Sequence, residues 1–254
     1  MDQSSQISAA VLVIGDEILS GRTQDTNTNS IARFLAALGI DLKEARVVAD
    51  DQAEIVAALN ALRARYTYVF TTGGIGPTHD DITADAIAAA FGVGIDYHPE
   101  ALALLGARYK PGEFNDMRKR MARIPFGASL IRNSVSVAPG FRLENVFVMA
   151  GVPSIMQAML QEIAPLLSRG RVVHAVTLAA EIGEGQIAVG LARIQTDHKE
   201  VSIGSYPAFT PTGFAVQLVV RGRDVAEVEA AAAAVEALLS GFGAVFSRLL
   251  QSQS

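Results

Sequence analysis

The chain contains no cysteine, which excludes disulfides, thiolate metal ligands and any catalysis that depends on a thiolate. A basic surplus is missing too: 21 Lys and Arg against 26 Asp and Glu leave a net charge of −5. The extended basic surface of a general nucleic-acid binder is therefore lacking, and no nucleic-acid partner is expected. No segment approaches the roughly 20 consecutive apolar residues of a membrane span, so no membrane partner is expected either. Met1 to Ser8 lacks the basic n-region and apolar core of a signal peptide. A cytoplasmic protein is the resulting expectation. The four histidines, His79, His98, His174 and His198, show no HxxxH-type metal spacing. The serines form no Gly-x-Ser-x-Gly elbow, no Gly-Lys-Ser/Thr follows a glycine loop, and the first turn carries no GxGxxG fingerprint.

With 254 residues, half of them hydrophobic, the chain can bury one good-sized core and a smaller second one. Strand-like runs at Ala9 to Ile14, Asp41 to Val48, Tyr66 to Thr72 and Val146 to Met149 alternate with helical patterns at Thr28 to Leu38, Ala53 to Ala64, Thr83 to Phe91 and Pro99 to Arg108. A further helix opens at Gly151-Val152-Pro153 and runs through Leu167. This alternation predicts an α/β three-layer sandwich built on a mostly parallel sheet. After Ser168-Arg169-Gly170 the order becomes strand, helix, two strands, helix, strand, which predicts a small α+β domain. The expected domains are residues 1–170 and 171–254.

The densest chemistry lies in Thr71-Thr72-Gly73-Gly74-Ile75-Gly76-Pro77-Thr78-His79-Asp80-Asp81-Ile82-Thr83, where a buried strand opens into a glycine-rich turn and then a helix. Gly73, Gly74 and Gly76 can leave amide N–H groups uncovered for a phosphate, and the following helix adds its positive end. Asp80 and Asp81 would repel a bare phosphate, so a divalent cation, an activated water or ligand hydroxyls are their natural company. The plain alternative makes Asp81 or Thr83 a helix cap. Gly15-Asp16-Glu17 follows the first strand, and Asp25-Thr26-Asn27-Thr28-Asn29 leads into its helix. At the carboxyl ends of parallel strands these turns face one crevice, where Glu17 or Asp16 could help hold a metal and Asn27 could donate to a phosphate or sugar. Asp25 and Thr26 read equally as helix caps. Asp51 reads as the cap of the next helix, leaving Asp50 to reach the crevice. Gly151 is a second possible anion seat, and Arg118-Lys119-Arg120-Met121-Ala122-Arg123 either closes over a phosphorylated ligand or forms a solvated face.

Taken in order, Gly15-Asp16-Glu17-Ile18-Leu19, Asp25-Thr26-Asn27, Thr71 to Thr83, Ala138-Pro139-Gly140 and Ala150-Gly151-Val152-Pro153 resemble the MoaB/Mog-type molybdopterin-binding fold. The likeness is nearest to the N-terminal part of the competence/damage-inducible protein A (CinA) family, and covers about Val11 to Leu167. The remainder, through Ser202-Ile203-Gly204-Ser205-Tyr206-Pro207, looks like the small domain that follows in CinA.

By that resemblance the glycine loop and its aspartate bind the phosphate of a pterin or a nucleotide, with Thr78 of the loop as a further phosphate-binding residue. Asp81 and Asp50 are then the catalytic residues; the residues themselves add Asp80 and Glu17 to Asp81 as candidate ligands of a divalent metal, Mg²⁺, Mn²⁺ or Co²⁺. The implied activity is cleavage of ADP-ribose or a related nucleotide diphosphate. The alternative is molybdopterin binding without hydrolysis, and a homo-oligomer is implied in either case. Two departures stand out: the nicotinamide mononucleotide deamidase domain often fused in CinA is missing from this sequence, and Arg118 to Ala122 replaces an Asn-Arg-Lys-Gln-Ala-like run. A decayed interaction module is a third reading, against which the intact acidic and glycine positions argue.

Overall fold

The computed structural model describes residues 6–110, 112–210 and 213–249; Met1 to Ser5 of the polar start lie outside them. Two compact units divide the chain, one ending at Gly170 and the other starting at Arg171.

In chain order the first unit comprises β1 (Ser8–Ile14), α1 (Asp16–Leu19), α2 (Asn27–Ala37), β2 (Asp41–Val48), α3 (Gln52–Arg65), β3 (Tyr68–Thr72), α4 (Thr83–Phe91) and β4 (Ile95–Tyr97). There follow α5 (Pro99–Arg108), α6 (Asp116–Lys119), β5 (Arg123–Pro125), β6 (Ser129–Ile131), β7 (Gly140–Leu143), β8 (Val146–Met149) and α7 (Pro153–Ile163). The main sheet has the order β2-β1-β3-β8-β7-β6. Its first four strands are parallel, and β7 and β6 add an antiparallel edge. That is the expected three-layer, mostly parallel architecture.

The central strands are apolar throughout because both faces are covered. On one face Leu12, Val69 and Val148 meet Ile55, Leu59 and Leu62 of α3 and Ile87 of α4. On the other, Val11, Phe70 and Phe147 meet Ile31 and Leu35 of α2 and Met156, Met159 and Leu160 of α7. Phe70 and Phe147, opposite each other in register, stack at 5.2 Å. At the β2 edge the periodicity changes to half-buried and exposed residues in alternation, as a strand covered on one side requires. The helix after β1 covers one face and the helix after β3 the other. The two loops therefore part at the carboxyl ends of neighbouring strands, the place where open α/β sheets form a crevice.

The second unit runs β9 (His174–Ala180), α8 (Glu184–Asp197), β10 (Val201–Thr210), β11 (Gly213–Gly222), α9 (Val225–Gly241) and β12 (Phe246–Leu249). Its antiparallel sheet has the order β10-β11-β9-β12, the split βαβ arrangement. Leu178, Val216, Leu218 and Val220 pack against Ile187 and Leu191 of α8 and Val228, Val235 and Leu239 of α9. The alanine run of α9 brings Ala231 and Ala232 into this core, where small side chains allow close helix approach. No helix among the described residues is long and apolar enough to cross a membrane.

Candidate functional site

The glycine loop leaves β3 through backbone conformations that only glycine holds without strain. Gly73 has φ +104°, and a Cβ there would lie 2.0 Å from the Ile14 carbonyl oxygen at the end of β1. Gly74 has φ +67°, and a Cβ would lie 2.2 Å from Thr83 Oγ1. The loop is tied to α4 from the other side: Thr83 Oγ1 donates to the Gly73 carbonyl at 2.9 Å and the Thr83 N–H to the Gly74 carbonyl at 3.0 Å. With the carbonyls so engaged, the N–H groups face away. Among the described residues those of Gly74, Ile75 and Gly76 have no protein acceptor.

Gly151 joins this loop in space, since a Cβ on it would meet Gly73 Cα at 3.3 Å. Asn27 closes the third side, with Nδ2 donating to the Gly151 carbonyl at 2.7 Å. Asn27 is only 7% exposed, and its Oδ1 is buried without a partner, as are Thr71 Oγ1 and Thr72 Oγ1 at the end of β3. Thr26 at the N-cap of α2 makes no side-chain bond to the helix; Asp25 before it does, its Oδ1 accepting from the N–H groups of Asn27 at 2.9 Å and Thr28 at 3.1 Å. Asp51 caps α3 through Ala53 and Glu54.

The acidic residues divide into two groups. Asp16 and Asp50 brace the ends of β1 and β2 reciprocally, the Asp16 N–H donating to Asp50 Oδ2 at 2.9 Å and the Asp50 N–H to Asp16 Oδ1 at 3.4 Å. Burial pushes the Asp50 carboxyl up, and the charges of Asp16, Glu17 and Asp80 add to the rise against the Asp16 N–H bond. Asp80 is exposed, and the Thr78 hydroxyl, which it shares with Asp81, its own backbone and His79 hold it below the ordinary carboxylate range.

Asp81 belongs elsewhere. Its Oδ2 accepts from the Thr78 N–H at 2.8 Å and from Thr78 Oγ1, and packs against Gly76. Thr78, expected to hold a phosphate, thus directs its N–H and hydroxyl to Asp81. The expected metal set of Asp81, Asp80 and Glu17 is not brought together. Asp81 turns inward to Thr78, Asp80 points to solvent, and Glu17 folds over Gly15. Among the described residues no three His, Asp or Glu side chains are grouped to hold a metal, so these side chains do not fit one.

Asp81 instead lines a cleft with Gly74, Gly76, Asp85, Arg120 and Arg123. Arg120 is the residue that the sequence did not single out. The basic run signalled a cation near the crevice without showing which one.

Glycine-loop amides at a strand end, a helix behind them and buried acceptors alongside lie together in an α/β fold built on a mostly parallel sheet. Residues 10–169 match the family described as "Probable molybdopterin binding domain", and residues 172–246 match "FAD synthase, middle domain". The chain belongs to the molybdopterin-binding domain family. A protein of Thermococcus kodakarensis is 34% identical over 87% of this chain and 93% of its own length. A CinA-like protein of Syntrophotalea carbinolica is 36% identical over 61% of this chain and 39% of its own. A probable FAD synthase of Caenorhabditis elegans is 30% identical over 92% of this chain, which spans only 50% of that relative. The solved structure of CinA from Thermoplasma acidophilum, titled as of unknown function, superimposes with a TM-score of 0.60 at 34% identity. It covers 62% of this chain and 96% of its own.

Proposed function

We propose that the first unit binds a small phosphorylated ligand of the molybdopterin type, with the phosphate on the N–H groups of Gly74, Ile75 and Gly76. Those open amides are the observation that carries the reading, since backbone donors without acceptors at a strand-to-helix turn suit an anion. Gly73 and Gly151 keep the floor of the site free of side chains. The orphaned Oδ1 of Asn27 is an acceptor for a ring N–H, so Asn27 serves the ring better than the phosphate. A pterin, which carries both a phosphate and ring donors, fits this set. The relatives named for FAD synthesis widen the ligand class to a fused ring joined to adenosine through a diphosphate. The test is calorimetric titration of the full chain with molybdopterin. Saturable binding that is lost in Gly74→Ala supports the reading; binding that is indifferent to the loop overturns it.

A second reading is hydrolysis of a nucleotide diphosphate such as ADP-ribose. It is favoured by Asp50, whose raised carboxyl at the crevice mouth suits a base that accepts a proton from water. AMP release from ADP-ribose, assayed with Mg²⁺, Mn²⁺ or Co²⁺ and abolished by Asp50→Asn, would support it. Absence of AMP with every metal leaves binding as the function.

A further inference from the structure

The basic run from α6 into β5 holds four cations, and three are committed within the protein. Arg118 donates to the Glu113 carbonyl and lies over the Tyr109 ring at 4.4 Å. Lys119 pairs with Asp116 at 2.9 Å. Arg123 pairs with Asp85 across the cleft at 2.7 Å. Arg120 has no ion pair among the described residues, and its Nε is buried with no hydrogen-bond partner. A buried donor left unsatisfied costs about as much as a lost hydrogen bond, and more when the group is charged. An arginine held this way invites an acceptor from outside the chain.

The cleft it lines supplies the context. Gly74, Ile75 and Gly76, whose N–H groups are open, line the same cleft as Arg120. The two acids of the cleft do not answer Arg120: Asp85 is matched by Arg123, and Asp81 is satisfied by both donors of Thr78.

We propose that Arg120 is a specificity-determining residue of this site, its guanidinium gripping the ligand phosphate together with the glycine-loop amides. The inference rests on the phospho-ligand reading above and names the side chain that makes the site prefer a phosphate ester over the bare ring. Planar N–H pairs of arginine match two phosphate oxygens at once, which lysine does not reproduce.

The experiment titrates the full chain with inorganic pyrophosphate and with ADP-ribose, using adenosine as the phosphate-free control. Four proteins are compared: wild type, Arg120→Gln, Arg120→Lys and Arg118→Gln. Gly74→Ala serves as the loop reference, and circular dichroism confirms that each variant is folded. Arg120→Gln is expected to weaken both phosphate probes about ten- to a hundredfold, with Arg120→Lys intermediate and Arg118→Gln at wild-type affinity. If wild type binds and Gly74→Ala does not, yet Arg120→Gln binds as wild type, the role of Arg120 is overturned while the loop reading stands. Equal losses in Arg118→Gln and Arg120→Gln would reduce the effect to bulk charge and likewise overturn the proposal. If wild type binds neither phosphate probe, the phospho-ligand reading fails and takes the role of Arg120 with it.

Discussion

The parallel sheet of the first unit has helices packed on both faces, whereas the antiparallel sheet of the second packs its two helices against one set of alternating residues. Their buried polar atoms are distributed just as unevenly. Among the described residues, Asn27 Oδ1, Thr71 Oγ1, Thr72 Oγ1, His98 Nδ1 and Arg120 Nε are unpartnered in the first unit, against Ser205 Oγ in the second. Each such atom costs about 1–3 kcal/mol, and a sheet wrapped on both sides leaves them few waters to turn to. Those of Asn27, Thr71 and Thr72 gather at the carboxyl end of β3, and Arg120 lines the glycine-loop cleft. The contrast agrees with the ligand site proposed in the first unit, and among the described residues the second unit keeps fewer such atoms.

The strongest way to break that comparison is to damage each core in turn. Phe70, fully buried and stacked on Phe147, lies three residues before Gly73, and Phe70→Ala is expected to cost about 3–5 kcal/mol. Leu218, fully buried in β11, is expected to lose about 2–5 kcal/mol on truncation to Ala. Denaturant unfolding measures both. Calorimetric titration with the phosphate probes then separates them: Phe70→Ala should weaken binding and Leu218→Ala should leave the affinity of the folded protein unchanged. A loss of affinity in Leu218→Ala would end the division of labour.

A smaller perturbation sharpens the contrast using glycine alone. Gly73 and Gly243 both have positive φ, +104° and +67°, but a Cβ meets the Ile14 carbonyl at 2.0 Å in the first and open space in the second. Gly243→Ala should therefore cost about 1 kcal/mol, the left-handed strain alone. Gly73→Ala should cost on the order of 3 kcal/mol, because the end of β1 must also move. Equal costs in thermal unfolding would mean that the loop does not depend on its closeness to β1.

The sequence was legible where local chemistry marks a boundary. Thr83 to Phe91 could be read to the residue because Gly92 takes the left-handed C-cap at φ +66°, and Pro99 to Arg108 because proline suits a first helical turn. The three- and four-residue strands β4 to β7 escaped, since so short a run has no measurable period and its pairing is set by distant neighbours. In the site, the glycine pattern exposed the amide cradle because backbone conformation is written in residue type. Which of two adjacent aspartates turns inward is not, because Asp80 and Asp81 have the same side chain and differ only in what Thr78 reaches. Arg120 was hidden for a related reason: a run of cations does not reveal which of them lacks a partner.

The smallest expected effect concerns Asp50, where stability and function pull apart. Its folded carboxyl is raised by burial and by Asp16, Glu17 and Asp80, so the fold favours the protonated form. Its contribution to stability is fully present below the unfolded pKa of about 3.9 and is lost as pH rises through the raised folded value. Asp50→Asn keeps an oxygen for the Asp16 N–H while removing the charge. The variant should melt above wild type at pH 7 by roughly one or two degrees, and the gap should close as pH falls toward 4. A gap that is flat between pH 4 and 8 would show that Asp50 is not under electrostatic load. A gap that closes as expected, in a variant that no longer releases AMP where wild type does, would mean that the crevice holds an ionised acid at a cost to the fold because the ligand chemistry uses it.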